Sequence, residues 1–414
     1  MTANLRLLRG TSLASNGPPM CRQIDRMGKS MGVSARCWRR LLVPTGLVAV
    51  LVAASGGLAA AAGPRQVDPL QKQVNAVHAT GAVGVFAEVT SPHTRESARA
   101  GTVESGTGRP MPLNGRFRIG SVTKTFTAAV VLQLVGQGRM SLDDTVERWL
   151  PGVVQGDGNN GSRITVRELL QHTSGIPEVQ PRIPALVSAD GYRSERFRSY
   201  TPQELVALAM QNPPTFPPGS AWSYSNTNYT LAAMIVQAVT GRTWAQEVND
   251  RIIRPLGLRD TSTPDNSPAI RGPHAQSYTA FGTDHSIDVT ELNSTMAIGS
   301  GSIISTAHDL SRFYSALLGG RVLAPAQLKD MTTTTPAPGL GPGVGYGLGL
   351  GSIPLSCGGS YFGHVGELLG YQSWVGTTAD GTRTAVVYVT SDGDQDTPGA
   401  MQSLVDQELC RPTA

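Results

Sequence analysis

Lys124 is the residue whose type and surroundings point first to chemistry. The 414-residue chain carries 34 basic side chains, yet only four are lysine, at positions 29, 72, 124 and 329. Lys124 sits in residues 120–136, GSVTKTFTAAVVLQLVG, a stretch apolar on nearly all sides past its first turn, which predicts a buried helix. An ammonium desolvated in such a place loses affinity for its proton and becomes a base, whereas a guanidinium stays protonated. Ser121, three residues earlier, falls on the same face of the first turn, within reach of the amine. A hydroxyl beside a neutral amine at a helix start is an activated nucleophile for acyl transfer. Taken alone, the pair reads better as an N-cap serine with a snorkelling lysine, and only partners elsewhere reverse that.

Two further segments supply them. Residues 217–226, PPGSAWSYSN, place Tyr224 and Asn226 two apart ahead of an apolar helix; on an extended segment both point the same way, offering a phenol for proton transfer and an amide for substrate. Residues 361–367, YFGHVGE, contain His364 as a polar side chain and Gly366, which would let a substrate backbone lie against a strand edge. Taken singly, the first is also an ordinary turn and the second a structural histidine.

The elements that must position these groups follow from periodicity. Pro69–His78 is expected as a helix, with strands over 81–90 and 97–103. Strands are also expected over Tyr371–Thr377 and Thr384–Thr390, joined by the hairpin pair Asp380-Gly381, with a closing helix over Pro398–Leu409. Between the β-rich ends, helical periods cover Phe126–Val135, Val166–His172, Pro202–Met210, Tyr229–Val239 and Ala307–Leu318. The fold class is therefore α+β: one antiparallel sheet built from N- and C-terminal strands, flanked by helices, with an all-helical middle region. Gly- and Pro-rich loops at 212–219 and 335–345 punctuate that middle.

Charge and cysteine usage bound the rest. Residues 1–63 carry eight Lys and Arg against one acid, Asp25, so the net +4 of the chain leaves −3 for the body. A weakly acidic body without a basic block gives no reason to expect nucleic acid as partner. Arg39-Arg40, an apolar small-residue run from Leu41 to Ala62 and a final Ala59–Ala62 read as an export signal over 1–62 with cleavage near Ala62, ahead of a single catalytic domain over 63–414. Translation from Met27 or Met31 would give a signal of ordinary length. The alternative is an uncleaved membrane anchor over 41–62. Cys21 and Cys37 fall in the signal region and Cys357 and Cys410 in the body; export implies a disulfide between the latter two, the alternative being two buried thiols. The seven histidines are scattered and no zinc-type spacing occurs, so no metal and no cofactor are expected.

In order, Ser-Val-Thr-Lys at 121–124, Tyr-Ser-Asn at 224–226 and His-Val-Gly at 364–366 resemble the serine β-lactamase and penicillin-binding-protein superfamily. The closest appearance is to the class C-like, secreted D-alanyl-D-alanine carboxypeptidases of actinobacteria. The resemblance covers most of residues 66–412. It implies a β-lactamase/transpeptidase-like fold with the site between sheet and helical region. It assigns nucleophile to Ser121, base to Lys124, proton relay to Tyr224, substrate amide recognition to Asn226, and substrate and proton-network contact to His364. The oxyanion hole falls on the backbone N–H groups of Ser121 and Glu367. Three departures concern the substrate: Val365 and Glu367 stand where the carboxypeptidases have Thr, and Gly351 aligns with their carboxylate-binding arginine. Losing a cation and gaining an acid suits an ester, an amide or an amine-bearing peptide better than an anionic terminus. The expected activity is a serine hydrolase acting through an acyl-enzyme, with D-Ala-D-Ala carboxypeptidase first. Esterase, β-lactamase or D-amino-peptidase activity is the alternative, and a non-catalytic penicillin-binding sensor comes third. The expected protein is secreted and monomeric, with a small peptide, ester or β-lactam as its partner.

Overall fold

The computed structural model describes residues 68–412; the expected signal and its cleavage site lie outside them. Eight strands form one antiparallel sheet in the order Arg95–Gly101, Gly84–Thr90, Thr384–Val389, Tyr371–Thr378, Ser360–Leu368, Gly351–Pro354, Gly345–Tyr346 and Thr335–Pro336. Strands from early and late in the described residues thus lie side by side, second and third from one edge, where Val85 pairs with Val389. The strand Thr384–Val389 is buried at all six positions because helices cover both faces. Alternate residues serve the two sides: Ala385, Val387 and Val389 join Leu70, Val74 and Leu404 in one core, while Val386 and Tyr388 join Phe313 and Phe126 in the other.

The helix Pro69–His78 forms as expected. Asp68 caps it by accepting from Leu70 N, Pro69 takes the first turn, and Leu70, Val74 and Val77 are its buried stripe. Thr397–Cys410 lies beside it, and Ala307–Leu318 packs on the opposite face of the sheet. The middle of the chain is helical at each expected place, including Val166–Gln171, Pro202–Ala209 and Asn226–Thr240. Thr165 and Thr201 each close a capping box with the glutamate three residues on. Thr123–Gly136 is buried on all sides over its first ten residues, which its lack of a polar face demanded.

Two features needed for the site were not legible in the sequence. The short strands Gly351–Pro354 and Gly345–Tyr346 extend the sheet through a glycine-rich stretch, and Leu369-Gly370 make a two-residue hairpin between Ser360–Leu368 and Tyr371–Thr378. Both turn residues have positive φ, 38° and 73°, which leucine seldom adopts. Cys357, in the turn ahead of Ser360–Leu368, is disulfide-bonded to Cys410 at the end of the last helix. No described helix is long and apolar enough to cross a membrane.

Candidate active site

Ser121 lies in a single 3₁₀ turn, Gly120–Val122, that runs directly into the helix Thr123–Gly136. Positions three apart eclipse in such a turn. That stacks Ser121 Oγ 3.0 Å from Lys124 Nζ. The amine is fully buried and also donates to Asn226 Oδ1 (2.6 Å) and to the Ser300 carbonyl (2.9 Å). A neutral amine has two N–H groups and one lone pair. The two obligate acceptors use both donors, so the lone pair is left for the Ser121 hydroxyl. Burial pushes the Lys124 pKa down to about 7, partly opposed by the nearby Glu178 carboxylate.

Tyr224 and Asn226 reach the same place from the other wall. The expected extended segment stops short of Asn226, which is already the first helical residue, while Ser225 ahead of it is extended. The two side chains still converge. Tyr224 lines the same cavities as Ser121, and its ring lies 4.7 Å from Lys124 Nζ. Burial raises its phenol well above the ordinary range, so it holds its proton at neutral pH. Beneath it lies His172, ring to ring at 4.3 Å, in left-handed conformation at the end of Val166–Gln171. Its Nδ1 accepts from Ser225 N and from Asn228 Nδ2, both at 3.2 Å. Burial, with Lys124 and His364 nearby, keeps this imidazole neutral.

The strand Ser360–Leu368 closes the third side. Gly351–Pro354 pairs only with residues 360–363, so residues 364–368 keep an edge free of a strand partner on that side, as expected for an extended substrate. The requirement for glycine at 366 has a different cause from the one expected. A Cβ there would lie 2.0 Å from the Ile119 carbonyl, so Gly366 admits the chain leading to the nucleophile, not the substrate. Gly120, at φ 51°, meets the Glu367 backbone from the other side. Together they bring the Glu367 amide against the turn that carries Ser121, the pair expected for an oxyanion hole.

His364 is buried, and its two nitrogens are committed: Nδ1 donates to the Val365 carbonyl (2.5 Å), so Nε2 accepts from the Tyr346 hydroxyl (2.9 Å). Burial and the neighbouring Lys124 lower its pKa to about 3. His364 thus borders the cavity beside Ser121, where a substrate contact was expected of it, with its ring nitrogens bonded to Val365 and Tyr346. Sequence reasoning missed Tyr346, His172 and Glu178. Glu178 accepts from Asn226 N (2.6 Å) and from Asn226 Nδ2 (3.1 Å), turning the amide oxygen toward Lys124. The signal for Tyr346 was an aromatic residue in a glycine run, GVGYGLGLG at 343–351, where a side chain this large has to be packed against something.

Two lobes open from Ser121. One, of about 660 Å³, is bordered by Asn226 and by three carboxylates, Glu178, Glu367 and Asp392. Burial and Asp392 both raise the pKa of Glu367. The other, of about 380 Å³, is bordered by His364 and Tyr346 and lined by Leu340, Val344, Ile353, Val365 and Trp374. Among the described residues neither lobe is lined by Lys or Arg. No group of three or more potential metal-binding side chains occurs among them either.

The beta-lactamase family model matches residues 51–407. Among solved structures, the chain is 40% identical to a D-stereospecific amidohydrolase from Streptomyces sp., with a TM-score of 0.77, covering 83% of this chain and 98% of that one. It is 27% identical to a D-amino acid amidase from Ochrobactrum anthropi SV3, with a TM-score of 0.71, covering 82% and 96%. Among curated relatives, penicillin-binding protein 4* of Bacillus subtilis is 28% identical over 236 residues, 52% of this chain and 48% of that protein. The chain spans about half the length of the curated relatives it matches first. With this match across most of its length and the antiparallel sheet and helical region on which the three motifs converge, the chain belongs to the beta-lactamase family of serine hydrolases.

Proposed function

We propose that this hydrolase cleaves amides of D-amino acids whose α-amino group is free. The observation that carries the reading is the acidic lobe beside Ser121, with Glu178, Glu367 and Asp392 on its walls and no cation. Burial, and then the neighbouring Asp392, raise the pKa of Glu367, and an ammonium is the substrate group that would balance three carboxylates gathered on one wall. The D configuration is supported by the likeness to a D-stereospecific amidohydrolase and to a D-amino acid amidase. A carboxypeptidase must hold a terminal carboxylate, and with Gly351 where the resemblance expects arginine, the amide reading is preferred.

The reaction runs through an acyl-enzyme. Ser121 Oγ attacks the scissile carbonyl as its proton passes to the lone pair of Lys124, and the backbone N–H groups of Ser121 and Glu367 take the charge that develops on oxygen. The C–N bond then breaks, with the proton delivered to the departing amine through the Tyr224 phenol. Water attacks the ester, gives its proton to Lys124, and Ser121 leaves with a proton restored, releasing the acid. Asn226, held by Glu178, orients both Lys124 and the acyl group.

The test compares D-alanyl and L-alanyl benzylamide, each with a free and an N-acetylated amine. The reading expects kcat/KM for the free D substrate to exceed both the L and the N-acetyl-D substrates by about tenfold or more, the worth of one charge-assisted contact. Equal turnover of the N-acetylated substrate refutes it.

A further inference from the structure

We infer that the apolar lobe beside His364 binds the leaving group, and that this hydrolase prefers uncharged, bulky apolar amines there over an amino acid with a free carboxylate. The inference rests on the acyl-side reading above. If the α-ammonium occupies the acidic lobe, the group on the far side of the scissile bond is directed into the other. Ser121, Tyr224 and Glu367 border both lobes, so the bond to be broken lies at their junction. Tyr224, the proton donor to the departing nitrogen, therefore stands at the mouth of the lobe that must receive it.

The lining of that lobe sets its chemistry. Of the five large apolar side chains exposed among the described residues, two, Leu340 at 46% and Val365 at 42%, flank it. Exposed apolar groups facing a common cleft next to a nucleophile are surface that a ligand can cover. Leu340 is carried by the glycine-rich loop between Thr335–Pro336 and Gly345–Tyr346, closed at its base by Ala337 N donating to Val344 O (3.1 Å). Trp374 and Ile353 form further wall. A carboxylate placed here would meet no cation and would lie near Glu367, so it pays desolvation without a partner. His364 does not change this, because its N–H is spent on the Val365 carbonyl and its ring stays neutral.

Gly351 is the position at which the preference can be reversed. It lines the lobe, and a Cβ there meets only the tip of Ile353 at 3.2 Å and, more loosely, two carbonyl oxygens at 3.7 and 3.8 Å, so a side chain is admissible. Gly351→Arg would bring a cation to the leaving-group side.

The experiment holds the acyl group constant as D-alanyl and varies the amine: ammonia, benzylamine and D-alanine. Wild-type kcat/KM is expected to favour the benzylamide over D-alanyl-D-alanine by about tenfold or more, the scale set by burying an aromatic ring. Gly351→Arg should lower that ratio by about tenfold, and Leu340→Ser should lower the benzylamide-to-primary-amide ratio severalfold. Should Gly351→Arg fail to fold, by circular dichroism, the exposed Leu340 variant decides alone. A wild type that cleaves D-alanyl-D-alanine as well as the benzylamide overturns the inference, as do unchanged ratios in folded variants. Failure of the acyl-side reading is seen separately, as equal turnover of N-acetyl-D-alanyl benzylamide, whatever the ranking of amines.

Discussion

If Lys124 is the base, acylation must depend on pH through one group, and the structure says where and in which direction. The lysine is protonated below about 7 and neutral above it, because burial has brought it down from 10.5. Only the neutral form can accept the Ser121 proton. The acylation rate should therefore rise with pH, reach half its plateau near 7, and stand about tenfold lower at pH 6 than on the plateau. The other groups at the centre lie outside this window: His364 titrates near 3, and Tyr224 is raised beyond its ordinary range. Glu178 supplies the handle, since its charge favours the ammonium. Glu178→Gln removes that support and should move the limb to lower pH, even if the loosened Asn226 lowers the plateau. The assay is the single-turnover rate of serine acylation by phenyl acetate, an uncharged ester whose own ionisation does not intrude, followed by phenol release. Glu367→Gln serves as the control, because the raised carboxylate of Glu367 is the other group that approaches the window from below. A limb that moves in Glu367→Gln but not in Glu178→Gln would refute the assignment, as would a limb near 10. The same burial bears on stability. Between about 7 and 10.5 the unfolded chain binds a proton that the folded one has lost, so this residue opposes folding by up to ~5 kcal/mol below 7, and the cost fades as pH rises through that interval.

Three other outcomes are expected. Reducing the bond between Cys357 and Cys410, 53 residues apart, should cost about 4 kcal/mol by loop-closure entropy and lower Tm in differential scanning calorimetry; free, alkylatable thiols in a non-reduced digest would contradict the pairing. Gly366→Ala places a methyl 2.0 Å from the Ile119 carbonyl and 2.5 Å from Ser373 Oγ, and should both lower Tm and cut kcat sharply by displacing the nucleophile turn; wild-type Tm and kcat would refute that account of Gly366. Tyr346→Phe leaves His364 Nε2 buried without its donor, so about 1–3 kcal/mol of stability should be lost in urea denaturation, with a smaller effect on KM than on kcat; an unchanged midpoint would show that the Tyr346 hydroxyl has no part in holding His364.

Much of this protein could be read directly from its residues because the relevant signals are local. A serine and a lysine three apart need only a turn to meet. The helix Pro69–His78 announces itself by Asp68, Pro69 and the spacing of Leu70, Val74 and Val77, and the strand Thr384–Val389 by an unbroken apolar run. Periodicity was enough to anticipate the sheet and the helical middle, and the ordered motifs at 121, 224 and 364 the residues that converge. What the chain alone could not disclose is set by summation over residues far apart in sequence. The pKa of Lys124 depends on burial by several segments, and its lone pair is free only because Asn226 and the Ser300 carbonyl consume its donors. Tyr346 became part of the site only when the Gly345–Tyr346 strand was added beside Gly351–Pro354, a pairing hidden by its glycines. The acidity of one lobe combines positions 178, 367 and 392, and the apolarity of the other combines 340, 365 and 374. Potential and cavity shape are properties of distances in space, and those exist only once the sheet has closed and the helices have packed against it.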